Sequence, residues 1–390
     1  MRKIWLRELS LSAAVAGFVA VLVGFTSSVA IVFQAAQALG ATPAQTSSWM
    51  WALGLGMGIT SLGLSLWTRQ PVLTAWSTPG AALLAGTAGV SMPEAVGAFL
   101  VCGALILLFG LTRWFERLMD RIPLAVASAL LAGVLARFGL DAVLTVKSAP
   151  LLVLTMAAGY LLGKRFFPRY AVPGVLAAGI AVAAAQGRLR LSAVDWGWAL
   201  PVWTTPSFSI AALVGVALPL FLVTMASQNL PGVAAQRASG YQTPVSPTIS
   251  VTGLATVLLA PFGGYAFNLA AITAAICMGR EAHEDPARRY TASAMAGVFY
   301  IAVGLAGGAV VGLLAAFPRE LVAAVAGLAL LGTIAGGLAA ALKEERHRDA
   351  AILTFLVTLS GVSLLGIGSA FWGVVAGTIA LTVQHFRARH

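Results

Sequence analysis

The sequence predicts an all-α polytopic membrane protein with fourteen transmembrane spans in a 7+7 inverted repeat. Three observations predict it. Apolar runs of about 20 residues, the length that crosses a bilayer's hydrocarbon core, recur along a chain that is 59% hydrophobic and 9% charged. Nineteen of its 24 lysines and arginines fall in alternate loops between those runs, as the positive-inside rule requires. Two of the runs, one in each half, are interrupted by proline and glycine at corresponding places.

The spans are expected at 11–36, 47–67, 71–86, 92–112, 122–142, 148–163, 170–186, 208–230, 246–260, 261–279, 290–316, 319–341, 348–366 and 369–386. Arg2, Lys3 and Arg7 precede the first, which runs past Val32 without a small-residue cleavage site and reads as a retained span rather than a signal peptide. With both termini cytoplasmic, Arg137, Lys147, Arg188, Arg190 and Arg319 face outward and the other nineteen basic residues face inward. Those nineteen are Arg2, Lys3, Arg7, Arg69, Arg113, Arg117, Arg121, Lys164, Arg165, Arg169, Arg237, Arg280, Arg288, Arg289, Lys343, Arg346, Arg348, Arg387 and Arg389. This dispersal accounts for the net charge of +11 and excludes a nucleic-acid-binding face. Seven spans per half force the halves to be inverted, with the repeat boundary in 186–206, where Trp196, Trp198 and Trp203 suit an outer interfacial belt.

The third and tenth spans are broken, each a short extended strand followed by a half-helix. In Gln70 to Gly86, Pro71 opens an extended run through Trp76, and Ser77-Thr78-Pro79 starts a helix with Thr78 as N-cap. In Ala260 to Gly279, Pro261, Gly263 and Gly264 stop any helix, Tyr265 to Phe267 run extended, and Asn268 caps a short helix through Cys277. Small-residue spacings at Gly54/Gly58, Gly304/Gly308/Gly312 and Gly332/Gly336 permit close helix contact. Cys102 and Cys277 lie in apolar runs as small core residues, with no metal-ligand spacing and no cofactor motif.

All thirteen acidic residues fall at span ends or in loops, Asp141 one turn after Arg137 as an interfacial ion pair. What remains at mid-membrane depth is polar and uncharged: Thr26, Ser27, Ser28 and Gln34 in the first span, Ser77 and Thr78 in the third, Ser227, Gln228 and Asn229 in the eighth, and Asn268 and Thr273 in the tenth. Hydroxyls can satisfy themselves on their own helix, but a buried amide without a partner costs several kcal/mol. Groups on four equivalent elements of two repeats therefore read as one site, faced by two positive half-helix ends and flanked by Phe33, Trp76, Tyr265 and Phe267. The candidate substrate-binding residues are Gln34, Trp76, Ser77, Thr78, Gln228, Asn229, Tyr265, Phe267 and Asn268. Such a site suits an anion with an apolar or aromatic body. An intramembrane enzyme is the contrasting reading, and the chain carries no HExxH, no paired intramembrane aspartates, no nucleophile elbow and no nucleotide-binding motif.

The stretches PVLTAWSTPGAALL, MASQNLPG from Met225 and GGYAFNLAAITAAICMG from Gly263 resemble the benzoate:proton symporter family, BenE. The resemblance covers nearly the whole chain. It implies the inverted-repeat fold of uracil/xanthine and sulfate permeases, with core parts at 1–115 (spans 1–4) and 208–317 (spans 8–11) moving against gate parts at 116–207 (spans 5–7) and 318–390 (spans 12–14). It also implies uptake of benzoate or a similar aromatic carboxylate with a proton across a bacterial-type inner membrane, with no cofactor. A homodimer and a permease for another organic or inorganic anion stay open. Nucleobase permeases carry glutamates in the eighth and tenth spans, where this chain has Gln228 or Asn229 and Phe267 beside Asn268. Those glutamates would repel a carboxylate.

Overall fold

The computed structural model describes residues 7–85, 87, 89–120, 122–168, 171–189, 198–306, 317–362, 364 and 369–387. Arg2, Lys3, Arg121, Arg169, Arg190, Arg389, Trp196, Gly308 and Gly312, and the side chains of Thr26, Ser27 and Arg387, lie outside them. Setting aside single turns and the short helix Trp114–Met119, the first half holds α1 (Leu11–Ala38), α2 (Pro43–Thr68), β1 (Thr74–Trp76), α3 (Thr78–Ala85), α4 (Met92–Leu111), α5 (Leu124–Leu144), α6 (Pro150–Phe166) and α7 (Ala171–Ala185). The second half holds α8 (Ile210–Ala238), α9 (Val245–Leu259), β2 (Phe267–Leu269), α10 (Ile272–Met278), α11 (Tyr290–Ala306), α12 (Arg319–Ala341), α13 (Arg348–Ser360) and α14 (Ser369–Arg387). Among the described residues, six helices are long and apolar enough to cross a membrane: α2, α4, α5 with its continuation to Lys147, α8, α9 with its continuation to Phe262, and α12. The chain is a mostly helical, multi-pass membrane protein.

Helix starts follow the local chemistry. Thr42 and Gln45 form a reciprocal capping box ahead of α2, and Ser91 and Glu94 another ahead of α4, each with proline in the first turn. The linker after α7 crosses the ends of other elements, with Val202 N–H donating to Ser48 Oγ (2.9 Å), Thr204 N–H to Pro261 O (2.8 Å) and Ser207 N–H to Pro93 O (2.9 Å). Its Trp198 and Trp203 are exposed. In α8, Pro219 and Pro231 cannot donate to the carbonyls of Gly215 and Ser227. The helix answers with wider π-type turns at Leu213–Ala217 and Met225–Asn229. The second π turn, just ahead of Pro231-Gly232, thus lies inside a continuous helix.

The packing pairs sort the helices into two groups. In one, α2 lies along α11, α4 along α9, α1 against α3, α10 and α11, and the two strands pair. In the other, α5 packs on α12, α13 and α14, α6 on α7, α13 on α14, and α12 on α6 and α7. The pairs recur at an offset of seven helices: α2 with α11 answers α9 with α4, and α6 with α7 answers α13 with α14. Contacts between the groups run mainly from the end of α8 to α5 and from α1 to α12.

Small residues set the closest approaches. A Cβ on Gly54 would come within 2.5 Å of Gly304 Cα, and one on Gly58 within 2.7 Å of Gly297 O, so α2 and α11 touch backbone to backbone. Gly336 meets nothing within 4 Å, so the spacing Gly332/Gly336 is not a second seam of this kind. Arg137 does not pair with Asp141 among the described ion pairs; its guanidinium lies against Gly361. Cys102 and Cys277 are buried and unlinked. Gly54→Val should destabilise the protein by about 1–3 kcal/mol, the usual cost of overpacking, whereas Gly336→Ala should stay within about 0.5 kcal/mol of the parent. Thermal unfolding of the detergent-purified proteins checks both.

Candidate functional site between the two chain breaks

Each broken segment opens with a strand that has lost its helix's hydrogen bonds, and the two strands recover them from each other. β1 and β2 pair antiparallel with Thr74 opposite Leu269, Ala75 opposite Asn268 and Trp76 opposite Phe267. Side chains meet further donors of the ladder. Ser61 Oγ on α2 accepts from Thr74 N–H (3.0 Å), and Thr256 Oγ1 on α9, the helix equivalent to α2, accepts from Phe267 N–H (3.0 Å). Asn229 Oδ1 in the π turn of α8 accepts from Leu269 N–H (2.9 Å), and Ala270 N–H donates to Leu73 O (2.9 Å). In hydrocarbon, backbone groups need such internal partners.

The strands deliver the half-helices α3 and α10 to a common cavity of about 310 Å³. Its wall carries Thr78 and Pro79 at the start of α3, and Ala271, Ile272 and Thr273 at the start of α10. Gln228 enters from the π turn of α8, and Gly24, Phe25 and Ser28 from α1. Trp76, Met57 and Tyr300 complete this side, and Phe138 of α5 enters from the second helix group. Trp76 Nε1–H donates to Ser28 Oγ (3.0 Å), which itself donates to Gly24 O (2.9 Å), and the Trp76 indole stands edge-on to Phe25 at 4.8 Å. Gly24 lets the wall close tightly. A Cβ there would lie 3.1 Å from Tyr300 Oη and 3.4 Å from Thr273 Cγ2.

The cap of α3 is Ser77, one residue earlier than the sequence suggests. Its Oγ accepts from Gly80 N–H (3.1 Å) and from Thr224 Oγ1–H (2.9 Å), so Thr78 is the first helical residue and turns toward the cavity. Asn268 does not cap α10. It is drawn into β2, and the helix starts at Ile272 behind Ala271, with no side-chain cap. The first-turn N–H groups of both half-helices therefore border a space lined by no charged side chain among the described residues.

Residues 7–383 match a family model described as "Benzoate membrane transport protein". The chain belongs to this family. It is 53% identical over 374 residues to "Inner membrane protein YdcO" of Escherichia coli (strain K12), covering 96% of each chain. It is 41% identical over 375 residues to "Benzoate membrane transport protein" of Acinetobacter baylyi, covering 96% of this chain and 95% of that one. The solved structure of SLC26A9 shares the fold at a TM-score of 0.52 and 10% identity, covering 98% of this chain and 67% of that one. The protein is a membrane transporter, not an enzyme.

Of the residues the sequence singles out, the transporter brings Trp76, Thr78 and Gln228 to the cavity, with Ser28 and Thr273 from the wider polar set. Ser77 sits behind the wall as the α3 cap, and Asn229 behind it as the anchor of β2. Phe267 is fully buried, its ring against Gly56. Tyr265 is fully buried between Trp49 and Phe99, at ring distances of 5.5 and 5.8 Å. Asn268 is also fully buried, its amide donating to Ala266 O (3.0 Å) and its Oδ1 without a partner. Gln34 is exposed, away from the cavity. Phe25, Tyr300 and Phe138 are lining residues that sequence reasoning missed.

Asn229→Ala should leave Leu269 N–H unpaired in a buried place and cost about 1–3 kcal/mol, with faster amide exchange across 267–272. Gln34→Ala should change neither. Thermal unfolding and hydrogen–deuterium exchange on the purified variants check this.

Proposed function

We propose that this transporter takes up benzoate or a similar aryl carboxylate together with a proton across the bacterial inner membrane. The observation that carries the reading is the cavity itself. It is neutral, it joins the starts of two half-helices, and it is walled by Phe25, Trp76, Phe138 and Tyr300. A carboxylate is held there by hydroxyl, amide and backbone N–H donors, each helix end contributing about 0.3–1 kcal/mol and up to about 2 when partly buried. The aromatic ring lies among the apolar walls, out of water.

The chain on this reading spans the membrane fourteen times with both termini cytoplasmic and its two halves inverted. The recurrence of helix pairs at an offset of seven supports it. Residues 1–115 and 208–317 form a substrate-carrying core, and 116–207 and 318–390 a gate against which it moves. The two packing groups follow that division, and Phe138 is the gate's contribution to the substrate cavity. Rocking of core against gate then exposes the cavity to each side in turn.

With a carboxyl pKa near about 4, the substrate is anionic at neutral pH and needs a cotransported cation to accumulate against an inside-negative potential. Uptake of labelled benzoate into proteoliposomes should rise with an inward proton gradient and fall to the equilibrium level when that gradient is collapsed. Uptake indifferent to the gradient contradicts symport, and competition by sulfate or uracil but not by substituted benzoates contradicts the substrate.

Gln228→Glu, nearly isosteric, sets a like charge in the cavity at a cost of several kcal/mol. It should weaken benzoate binding by about 100-fold while the protein remains monodisperse, as measured by calorimetry on the purified variant. Near-parental affinity would place the anion elsewhere.

A further inference from the structure

The half-helix α10 has a second end. Its start lines the substrate cavity, and its seven residues carry the chain about 10 Å to a turn at Gly279–Ala282, where the Glu281 side chain reaches from its own helix group to the other. There Glu281 Oε1 accepts from Lys164 Nζ of α6 at 2.9 Å. The carboxylate lies over α12, where a Cβ on Gly332 would come within 3.1 Å of it. The Glu281 side chain is 9% exposed and that of Lys164 47%. Lys164 is oriented in turn by Tyr160, donating to its hydroxyl at 3.1 Å.

Arg289, at the start of α11, ties the turn back to its own group. Its guanidinium donates to Met278 O (2.9 Å) and His283 O (2.7 Å), so Glu281 is presented by a braced loop rather than by a free one. A cavity of about 360 Å³ adjoins the pair, bordered by Arg280 and Arg289 on one side and Gly336 and Gly337 of α12 on the other. Ser239, also on its wall, has a buried Oγ with no partner.

We propose that the Glu281–Lys164 pair is a latch that holds the two helix groups together on this face and sets the balance between its closed and open arrangements. Glu281 is a positioning residue for transport, acting through α10 on the substrate cavity. The latch rests on the proposed movement of core against gate. A carboxylate that keeps its lysine only while the groups are in contact favours that contact. Separation costs the ion pair and returns both charges to water. Because one short helix joins latch and cavity, a ligand that shifts α10 shifts the latch, and the reverse holds by linkage.

The test uses the full chain in nanodiscs, with Cys102→Ala, Cys277→Ala and Ser239→Cys, and reads the rate at which a maleimide labels position 239. Glu281→Gln and Lys164→Gln should each speed labelling about fivefold or more, the low end of ordinary coupling between sites. The double variant should label no faster than either single one, since each already removes the same contact. Lys164→Arg, which keeps the charge, should label near the parental rate. If Glu281→Gln is not monodisperse, Lys164→Gln decides, because its side chain is half exposed. Labelling within about twofold of the parent in the single variants, multiplicative effects in the double, or loss of folding in both overturns the latch. Benzoate plays no part in this readout, so failure of parental benzoate uptake counts against the proposed substrate and not against the latch.

Discussion

Everything at the centre of this molecule depends on one short antiparallel ladder. Two chains that abandon helical hydrogen bonding inside a bilayer leave backbone N–H and C=O groups that hydrocarbon cannot satisfy. Three residues of each pair with three of the other, and Ser61, Thr256 and Asn229 accept further strand donors. That pairing fixes where α3 and α10 begin, and so where two sets of first-turn N–H groups meet. The polar residues around it divide by this logic into those that hold the ladder and those that face the cavity. Asn229 belongs to the first kind and its neighbour Gln228 to the second, because successive residues of one π turn face different ways.

The same division explains how much could be read from the amino-acid sequence. Proline and glycine announce the two breaks, and the charged loops announce the order of helices, because both signals are local. The cap of α3 is misplaced by one residue and that of α10 by three, since Asn268 and its neighbours are claimed by β1 from the other half of the chain, a contact nearly 200 residues distant that no local rule contains. Gln34 was open to exclusion. Six residues beyond Ser28, it is turned about 240° around the helix, while Gly24 and Phe25 share the face of Ser28. Tyr300 and Phe138 carry no such signal. Each is an aromatic residue in an apolar span, and only the packing of α11 and α5 onto α1 and the half-helices brings them to the cavity.

On the proposed function, a cavity built this way favours an anion without carrying a charge of its own. No ionised side chain among the described residues has to be desolvated to line it, and the donors that would meet the proposed anion are fixed by a ladder that is already formed, so its binding would need little reorganisation. The charged residues do their work at the ends of the helices. There Arg69 and Tyr290 hold Glu8 (2.7 and 2.5 Å) within one helix group. The Tyr290 hydrogen bond, with support from Arg69, keeps the Glu8 carboxyl below the usual glutamate range. Lys164 and Glu281, by contrast, join one group to the other.

The most direct measurement of the central claim is ligand protection at the two half-helix starts. Single cysteines at Thr78 and Thr273, in a chain with Cys102 and Cys277 replaced by alanine, are alkylated with and without saturating benzoate, alongside a control cysteine at Gln34. Slowed labelling at both half-helix positions and unchanged labelling at position 34 is the predicted result. Equal rates with and without benzoate at Thr78 and Thr273 would contradict a substrate site between the two chain breaks.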